Sequence, residues 1–318
     1  MPEGDSLVRA AHRLRPVLAG RALTAAQLRV PRHATADLTG WTVTAVIPRA
    51  KYVLMRLTPP GSGDAADPRG LTLLSHLKME GRWRVCAPGE RWPAPAHRVR
   101  AVLETDDVQV LGLELGLLEL LPTVEEDTRL GFLGPDLLDP AWTPASLRAA
   151  VAALRSRPAL SIGAALLDQR LVAGLGNIYR CEALLLAGID PHRPVAEVED
   201  LPGLVTLARD LMRANVPPAV PAEGPARRTT GVRPDPDAPF GVRVLVPHAP
   251  AAWPAPPAAH GTAAPESRGR ARRPAPSYWV YGHDRQPCLR CGGPVTRGEL
   301  GAADGLARRL WWCRRCQS

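Results

Sequence analysis

The chain has 318 residues, long enough for more than one domain, and 45% are hydrophobic, the share of an ordinary globular core. Aromatics are only 4% and prolines number 35, about twice ordinary usage, so part of the chain is neither helix nor central strand. The net charge of +9 fits a polyanionic partner and an ordinary basic enzyme about equally, and no run reaches the roughly 18 apolar residues that a membrane span needs.

Met1 to Asp5 carries two acids and no basic, apolar export signal, which predicts a soluble cytoplasmic protein with no membrane partner. Leu7, Ala10, Ala11, Leu14 and Leu18 form a helical stripe over Asp5 to Leu18, with Asp5 as cap and Gly20 as stop. Short apolar or alternating runs follow at Trp41–Ile47, Tyr52–Leu57, Leu71–Leu77, Arg82–Cys86, Arg98–Leu103 and Val108–Leu113. Strands at this spacing predict a β-sandwich or barrel, with the Gly/Pro/Asp-rich stretch 59–70 as a solvent loop.

After Pro122 the pattern turns helical. Thr143-Pro144 starts a helix to about Arg155, and further helices are expected over Ser161–Leu167, Asn177–Ala187 and Leu201–Asn215. The two glycines of Val172-Ala-Gly-Leu-Gly-Asn177 imply tight turns and a close backbone approach to another group. A helix opening at Asn177 also offers its first N–H groups to an anion. Between 217 and 276, fifteen of 60 residues are proline, with a basic run at Arg268, Arg270, Arg272 and Arg273. This composition predicts a disordered insertion, with one short strand at Val242–Val246.

Cys288, Cys291, Cys313 and Cys316 form two C-x2-C pairs separated by 21 residues. In a chain without an export signal, that spacing predicts one structural Zn2+ per chain held by four thiolates. Cys86 and Cys181 stand alone and read as small buried apolar residues. Of the 40 basic residues only Lys51 and Lys78 are lysines, compact donors where arginine presents a planar fork. Removal of Met1 would leave the secondary amine of Pro2 as chain terminus. An α-amino group titrates near 7.7–8.0, so a neutral fraction can attack carbon and form an iminium. Glu3 and Asp5 lie beside it, and a carboxylic acid there is a candidate proton carrier. The plain alternative for this stretch is a capped helix start.

Met-Pro-Glu-Gly-Asp-Ser at the start, Leu-Gly-Asn-Ile-Tyr-Arg-Cys-Glu at 175–182 and the terminal four-cysteine finger together resemble the Fpg/Nei family of bifunctional DNA glycosylases. The opening is closer to the endonuclease VIII (Nei) branch than to the Fpg branch, which usually starts Pro-Glu-Leu-Pro-Glu. The resemblance implies an α+β multidomain fold: an N-terminal β-sandwich, a helical middle with a helix–two-turn–helix motif, and a C-terminal zinc-finger β-hairpin. The corresponding segments are 1–121, 122–216, the insertion 217–276, and 277–318.

It further implies that Pro2 is the nucleophile at C1′, Glu3 the acid/base, and Lys51 a strand lysine contacting phosphates near the lesion. Asn177 and Arg308 would grip phosphate, and Met79 would fill the space left by an extruded base. Lys78 and Arg98 are further DNA-contact candidates. Core packing is the plain alternative for Met79, and a solvated face for Lys78 and Arg98. Ala50 stands where the family more often has glycine, and His283 where it commonly has arginine. The implied activity is base excision with AP lyase action by β,δ-elimination on damaged double-stranded DNA, removing oxidised pyrimidines. The enzyme would be a nucleoid-associated monomer with no catalytic metal. Two alternatives share part of the pattern: a non-catalytic damaged-DNA-binding protein, and a glycosylase preferring oxidised purines.

Overall fold

Helix α1 spans Gly4–Leu18 in the computed structural model, which describes residues 2–62, 64–218, 228–245, 277–301 and 307–318. Its predicted stripe is buried. The cap position belongs to Glu3 rather than Asp5, because the backbone turns helical at Gly4 and leaves Asp5 in the first turn.

The strands that follow are β1 (Arg21–Ala22), β2 (Ala25–Leu28), β3 (Thr42–Arg49), β4 (Tyr52–Thr58), β5 (Leu71–His76), β6 (Arg82–Cys86), β7 (Val99–Glu104), β8 (Gln109–Leu113) and β9 (Leu117–Pro122). They form a five-stranded sheet, order β1-β3-β4-β5-β9, and a four-stranded sheet, order β2-β7-β8-β6. Val46, Met55 and Leu73 of the first sheet share one core with Trp83, Leu103 and Val110 of the second, and Leu7, Ala11 and Leu14 of α1 complete it. Trp83 Nε1 donates to Ser75 Oγ at 3.1 Å, so the large ring is buried with its polar atom satisfied and ties the two sheets together.

The helical middle comprises α2 (Glu126–Leu130), α3 (Pro144–Arg155), α4 (Ile162–Ala165), α5 (Asn177–Ala187) and α6 (Leu201–Arg213). Thr143 and Ser146 cap α3 reciprocally, and the Asp200 side chain accepts the Gly203 N–H at 2.7 Å to cap α6. Helix α5 is buried on all sides among the core residues of this layer. At its C-terminus Gly188 takes φ 72°, and Arg290 donates to the carbonyls of Leu185 and Leu186, both at 3.1 Å. A cation on those carbonyls complements the negative end of the helix.

The segment expected to lack order apart from a strand at Val242–Val246 is corrected over 228–245, while that strand is present as Val242–Val244. There β10 (Val232–Pro234) and β11 (Val242–Val244) pair antiparallel, and Val232, Phe240, Val242 and Val244 pack on the helical core. Asn215 holds the start of this hairpin, accepting the Arg228 N–H and donating to its carbonyl, each at 2.8 Å. A few apolar residues docked on an existing core suffice where an isolated segment of this composition would not fold. Residues 219–227 and 246–276, including the basic run, lie outside the described residues. The chain closes with the hairpin β12 (Thr296–Gly301) and β13 (Ala307–Trp312), whose Leu310, Trp311 and Trp312 pack with Cys181 and Leu185 of α5. Among the described residues no helix is long and apolar enough to cross a membrane.

Placing aspartate at both Val242 and Val244 buries charge against α6 and is expected to cost about 1–3 kcal/mol. The melting temperature should fall by several degrees; an unchanged value would mean that the β10–β11 hairpin does not dock.

Candidate functional site

Glu3 is 0% exposed. Its carboxylate accepts the backbone N–H groups of Gly176 (2.9 Å), Ile178 (2.7 Å) and Tyr179 (3.4 Å), so it caps α5 from 173 residues away in sequence. A helix N-terminus carries unpaired donors and partial positive charge, which a carboxylate satisfies. Gly176 permits the contact, since a Cβ there would lie 2.4 Å from Glu3 Cγ and Cδ. Gly174 takes φ 90°, and its carbonyl accepts the Gly4 N–H at 2.8 Å. These glycines therefore let the backbone approach the N-terminal segment. The anion at the α5 N-terminus is the protein's own Glu3, so three amides expected to face an external anion are already engaged.

Pro2 lines a cleft of about 430 Å³ together with Arg9 and Arg13 of α1, Arg82 of β6, Ile178 of α5 and Tyr278. The sandwich, the helical layer and the approach to the cysteine hairpin thus each contribute a wall. The N-terminal segment is fixed by Glu3 behind it, while Pro2 itself faces the cleft.

Lys51 follows Ala50 in the two-residue turn joining β3 to β4, where Arg49 pairs with Tyr52. Ala50 has φ 52°, the left-handed region that costs an L-residue about 1–2 kcal/mol. The turn keeps that glycine-like geometry because the Ala50 N–H donates to Asp136 Oδ2 at 2.6 Å, while Leu138 N–H donates to Oδ1 at 3.0 Å. Burial pushes the Asp136 carboxyl above the usual carboxylate range, against the two amides that favour its charged form.

His76, at the end of β5, pairs in register with Tyr52, and their rings meet edge to face at 5.0 Å. Burial lowers its pKa to about 4, with the charges of Lys51 and Lys78 acting in the same direction. The charges of both lysines of the chain therefore bear on one imidazole. The Lys78 N–H donates to His76 Nδ1 at 2.9 Å, which leaves Nε2 to carry the proton of the neutral ring.

Met79 is 58% exposed at the tip of the loop after β5, which excludes core packing. Lys78 is exposed with φ 50°, and its aliphatic stem lies over Gly116, where a Cβ would come within 2.5 Å of it. Arg98, in the turn before β7, reaches Glu114 at 3.6 Å, and Arg82 of the cleft wall reaches the same carboxylate at 3.7 Å. Arg98 is thus one ion pair removed from the cleft lining.

Asn177 is buried. Its Nδ2 donates to the Arg309 carbonyl at 2.9 Å, and its Oδ1 accepts from Arg180. Arg180, itself fully buried, also donates to the carbonyls of Gly163 (3.3 Å) and Arg309 (2.9 Å). These bonds lock α5 to β13, and one hydrogen of the Asn177 amide is committed to that joint. Arg308 sits half-buried on β13 opposite Leu300, near enough to Arg180 for their like charges to interact.

The Sγ atoms of Cys288, Cys291, Cys313 and Cys316 all lie within 4.8 Å of one another, with Cys291–Cys313 at 3.5 Å and Cys288–Cys316 at 4.0 Å. A tetrahedron of 2.3 Å metal–sulfur bonds has edges of about 3.8 Å, so the cluster fits a tetrahedral metal ion. Cys86 and Cys181 are buried as expected.

Sequence reasoning passed over His76, Arg9, Arg13 and Tyr278. Arg9 and Arg13 share a helix face with Ser6 and Ala10, a spacing that could have marked them. His76 lay within the stretch singled out for Met79, whereas nothing local marks Tyr278 as a cleft residue.

Comparison with known proteins matches residues 1–114 to the formamidopyrimidine-DNA glycosylase N-terminal domain and 133–216 to the formamidopyrimidine-DNA glycosylase H2TH domain. The chain is 39% identical to the probable endonuclease 8 2 of Streptomyces coelicolor, over 100% of this chain and 94% of the relative. It is 35% identical to the DNA-(apurinic or apyrimidinic site) lyase Nei2 of Mycolicibacterium smegmatis, over 100% and 99% respectively. Among solved structures, the Lactococcus lactis Fpg bound to DNA containing N7-benzyl-Fapy-dG superposes with a TM-score of 0.68 at 21% identity, covering 100% of both chains. That likeness establishes a common fold.

The depressed pKa of His76 predicts that its imidazole signals stay constant in NMR between pH 5.5 and 8. Because an unfolded histidine binds its proton near 6.5, this group withdraws stability as the pH falls from about 6.5 toward 4. A His76 midpoint at 6 or above would contradict the burial of the ring beside Tyr52.

Proposed function

The chain belongs to the formamidopyrimidine-DNA glycosylase family, and from that premise we propose that it is a base-excision DNA glycosylase with AP lyase activity whose nucleophile is the Pro2 nitrogen. The observation that carries this reading is the position of Pro2 in a basic cleft bounded by sandwich and helices, directly after which Glu3 is immobilised by three amides.

Once Met1 is removed, the neutral Pro2 amine attacks C1′ of the damaged nucleotide. The glycosidic bond breaks, and the base departs with a proton. The opened sugar remains as an iminium on Pro2, an electron sink that acidifies the C2′ hydrogen. Loss of that proton expels the 3′-phosphate, a second elimination expels the 5′-phosphate, and water releases the sugar fragment from Pro2. Glu3 is the acid/base that assists ring opening and later proton transfers.

Lys51, Asn177 and Arg308 hold phosphates on either side of the reacting sugar, and Lys78 and Arg98 add contacts from the sandwich. For Asn177 the donor is the second hydrogen of Nδ2. Met79 enters the stack as the base leaves it, a use that its exposed position at a loop tip suits. The partner is damaged double-stranded DNA, bound by a monomer. The chain's excess of arginine supplies the salt-dependent part of the affinity. Oxidised pyrimidines are the preferred substrates; the Met-Pro-Glu-Gly-Asp opening and the endonuclease 8 names of full-length relatives support this assignment. The four thiolates hold Zn2+, which gives the short β12–β13 hairpin the rigidity to fix Arg308.

Pro2→Gly is expected to abolish the borohydride-trapped adduct with an abasic duplex while leaving the fold intact; trapping at the wild-type level would exclude Pro2 as sole nucleophile. Purified protein should contain one zinc per chain. Cys313→Ser should lose the metal and at least ten-fold in DNA affinity, whereas full affinity without metal would remove the hairpin from the DNA interface.

A further inference from the structure

Two aromatic side chains line the Pro2 cleft, Trp83 and Tyr278. Trp83 is committed to the sandwich core, with its Nε1 bonded to Ser75. Tyr278 is half-buried, in the short strap that leads into the cysteine hairpin. The backbone immediately after it is held by Glu182, a fully buried carboxylate on α5. Glu182 accepts the successive N–H groups of Trp279 (2.7 Å), Val280 (2.9 Å) and Tyr281 (2.9 Å), and also the Thr229 hydroxyl. Three consecutive amides on one carboxylate leave that backbone little freedom. The Tyr278 ring meets Tyr281 edge-on at 5.5 Å and 78°, and Tyr281 leans on Trp311 of β13 at 4.7 Å. Tyr281 thus braces the Tyr278 ring and is itself backed by Trp311. Ile178 contributes an apolar wall to the same cleft.

We propose that Tyr278 is a specificity-determining residue whose ring receives the face of the extruded base, and that Glu182 is the positioning residue that holds it there. The inference rests on the glycosylase reading above. A base leaving the duplex loses its stacking partners, and a pre-positioned aromatic ring restores one of them without the entropy of ordering a mobile side chain. The contact exists only while the base is attached to the sugar, so it acts on base release and has no partner at an abasic site.

The test compares two duplexes in single-turnover assays, one carrying 5-hydroxyuracil and one carrying an abasic site. Tyr278→Ala should slow release of 5-hydroxyuracil by about ten-fold or more, the loss expected for one base–aromatic stack. It should cleave and be trapped on the abasic duplex at the wild-type rate. Tyr278→Phe, which keeps the ring and loses only the hydroxyl, should retain base release. Glu182→Gln should reproduce the base-selective loss and add nothing to it in a Tyr278→Ala background. Equal loss on both duplexes, or no loss on either, would overturn the assignment of Tyr278. A Glu182→Gln effect that adds fully to that of Tyr278→Ala would overturn the positioning role. Failure of the wild-type protein to be trapped on the abasic duplex would instead refute the proposed Pro2 chemistry.

Discussion

The structure depends on one carboxylate placed at the start of a distant helix. Glu3 occupies the cap position of α1, yet its side chain accepts the first amides of α5. Hydrogen bonds to a charged group contribute about 1.5–3 kcal/mol each, and removing their shared acceptor would strand buried donors at a comparable cost. The bond between Gly4 N–H and the Gly174 carbonyl fastens the same two segments a second time. The position of Pro2 relative to the helical layer is therefore not set by a flexible terminus. It is a consequence of how α5 is capped.

Helix α5 organises the other parts in the same way. Within its 11 residues, Asn177 and Arg180 bind the β13 backbone, Glu182 gathers Thr229 and the strap at 279–281, and the C-terminal carbonyls receive Arg290. Three buried polar side chains on one helix would be costly if any were left unpaired. Here they face the three segments that must be held against the core, which explains why a helix with so little exposed surface carries them. The cleft inherits its shape from these bonds and its positive character from Arg9, Arg13 and Arg82. His76, kept neutral by burial, offers a fixed N–H without adding a charge to those of Lys51 and Lys78.

Much of this plan was legible in the residues. The apolar stripe of α1, the run from Asn177 to Ala187, the Thr143-Pro144 start and the paired C-x2-C spacing all carry local signals, and the corresponding elements lie where those signals place them. The two glycines before Asn177 announced a close approach but not its partner, because no local pattern connects Gly176 to Glu3. Strand β9 was missed since Leu117–Leu121 is a leucine-rich run without alternation, and leucine favours helix. Strand β11 falls within the stretch Val242–Val246 that carries a strand signal, whereas its partner β10 and their pairing were hidden by proline and by Phe240, a non-glycine residue at φ 59°. Tyr278 enters the cleft through the bonds of Glu182 to its neighbours, which are tertiary contacts nearly 100 residues apart. Elements whose position follows from local spacing were legible, and contacts made through a buried carboxylate were not.

Amide hydrogen exchange at Gly176, Ile178 and Tyr179, compared between the wild-type protein and Glu3→Gln, addresses the central constraint most directly. First-turn amides of a helix ordinarily exchange fast because they lack intrahelical acceptors. The account requires all three to be protected in the wild type and to exchange at least ten-fold faster in the variant, while amides in the middle of α5 keep their protection. Equal rates in the two proteins would mean that Glu3 does not hold the helix, and that the placement of Pro2 has another cause.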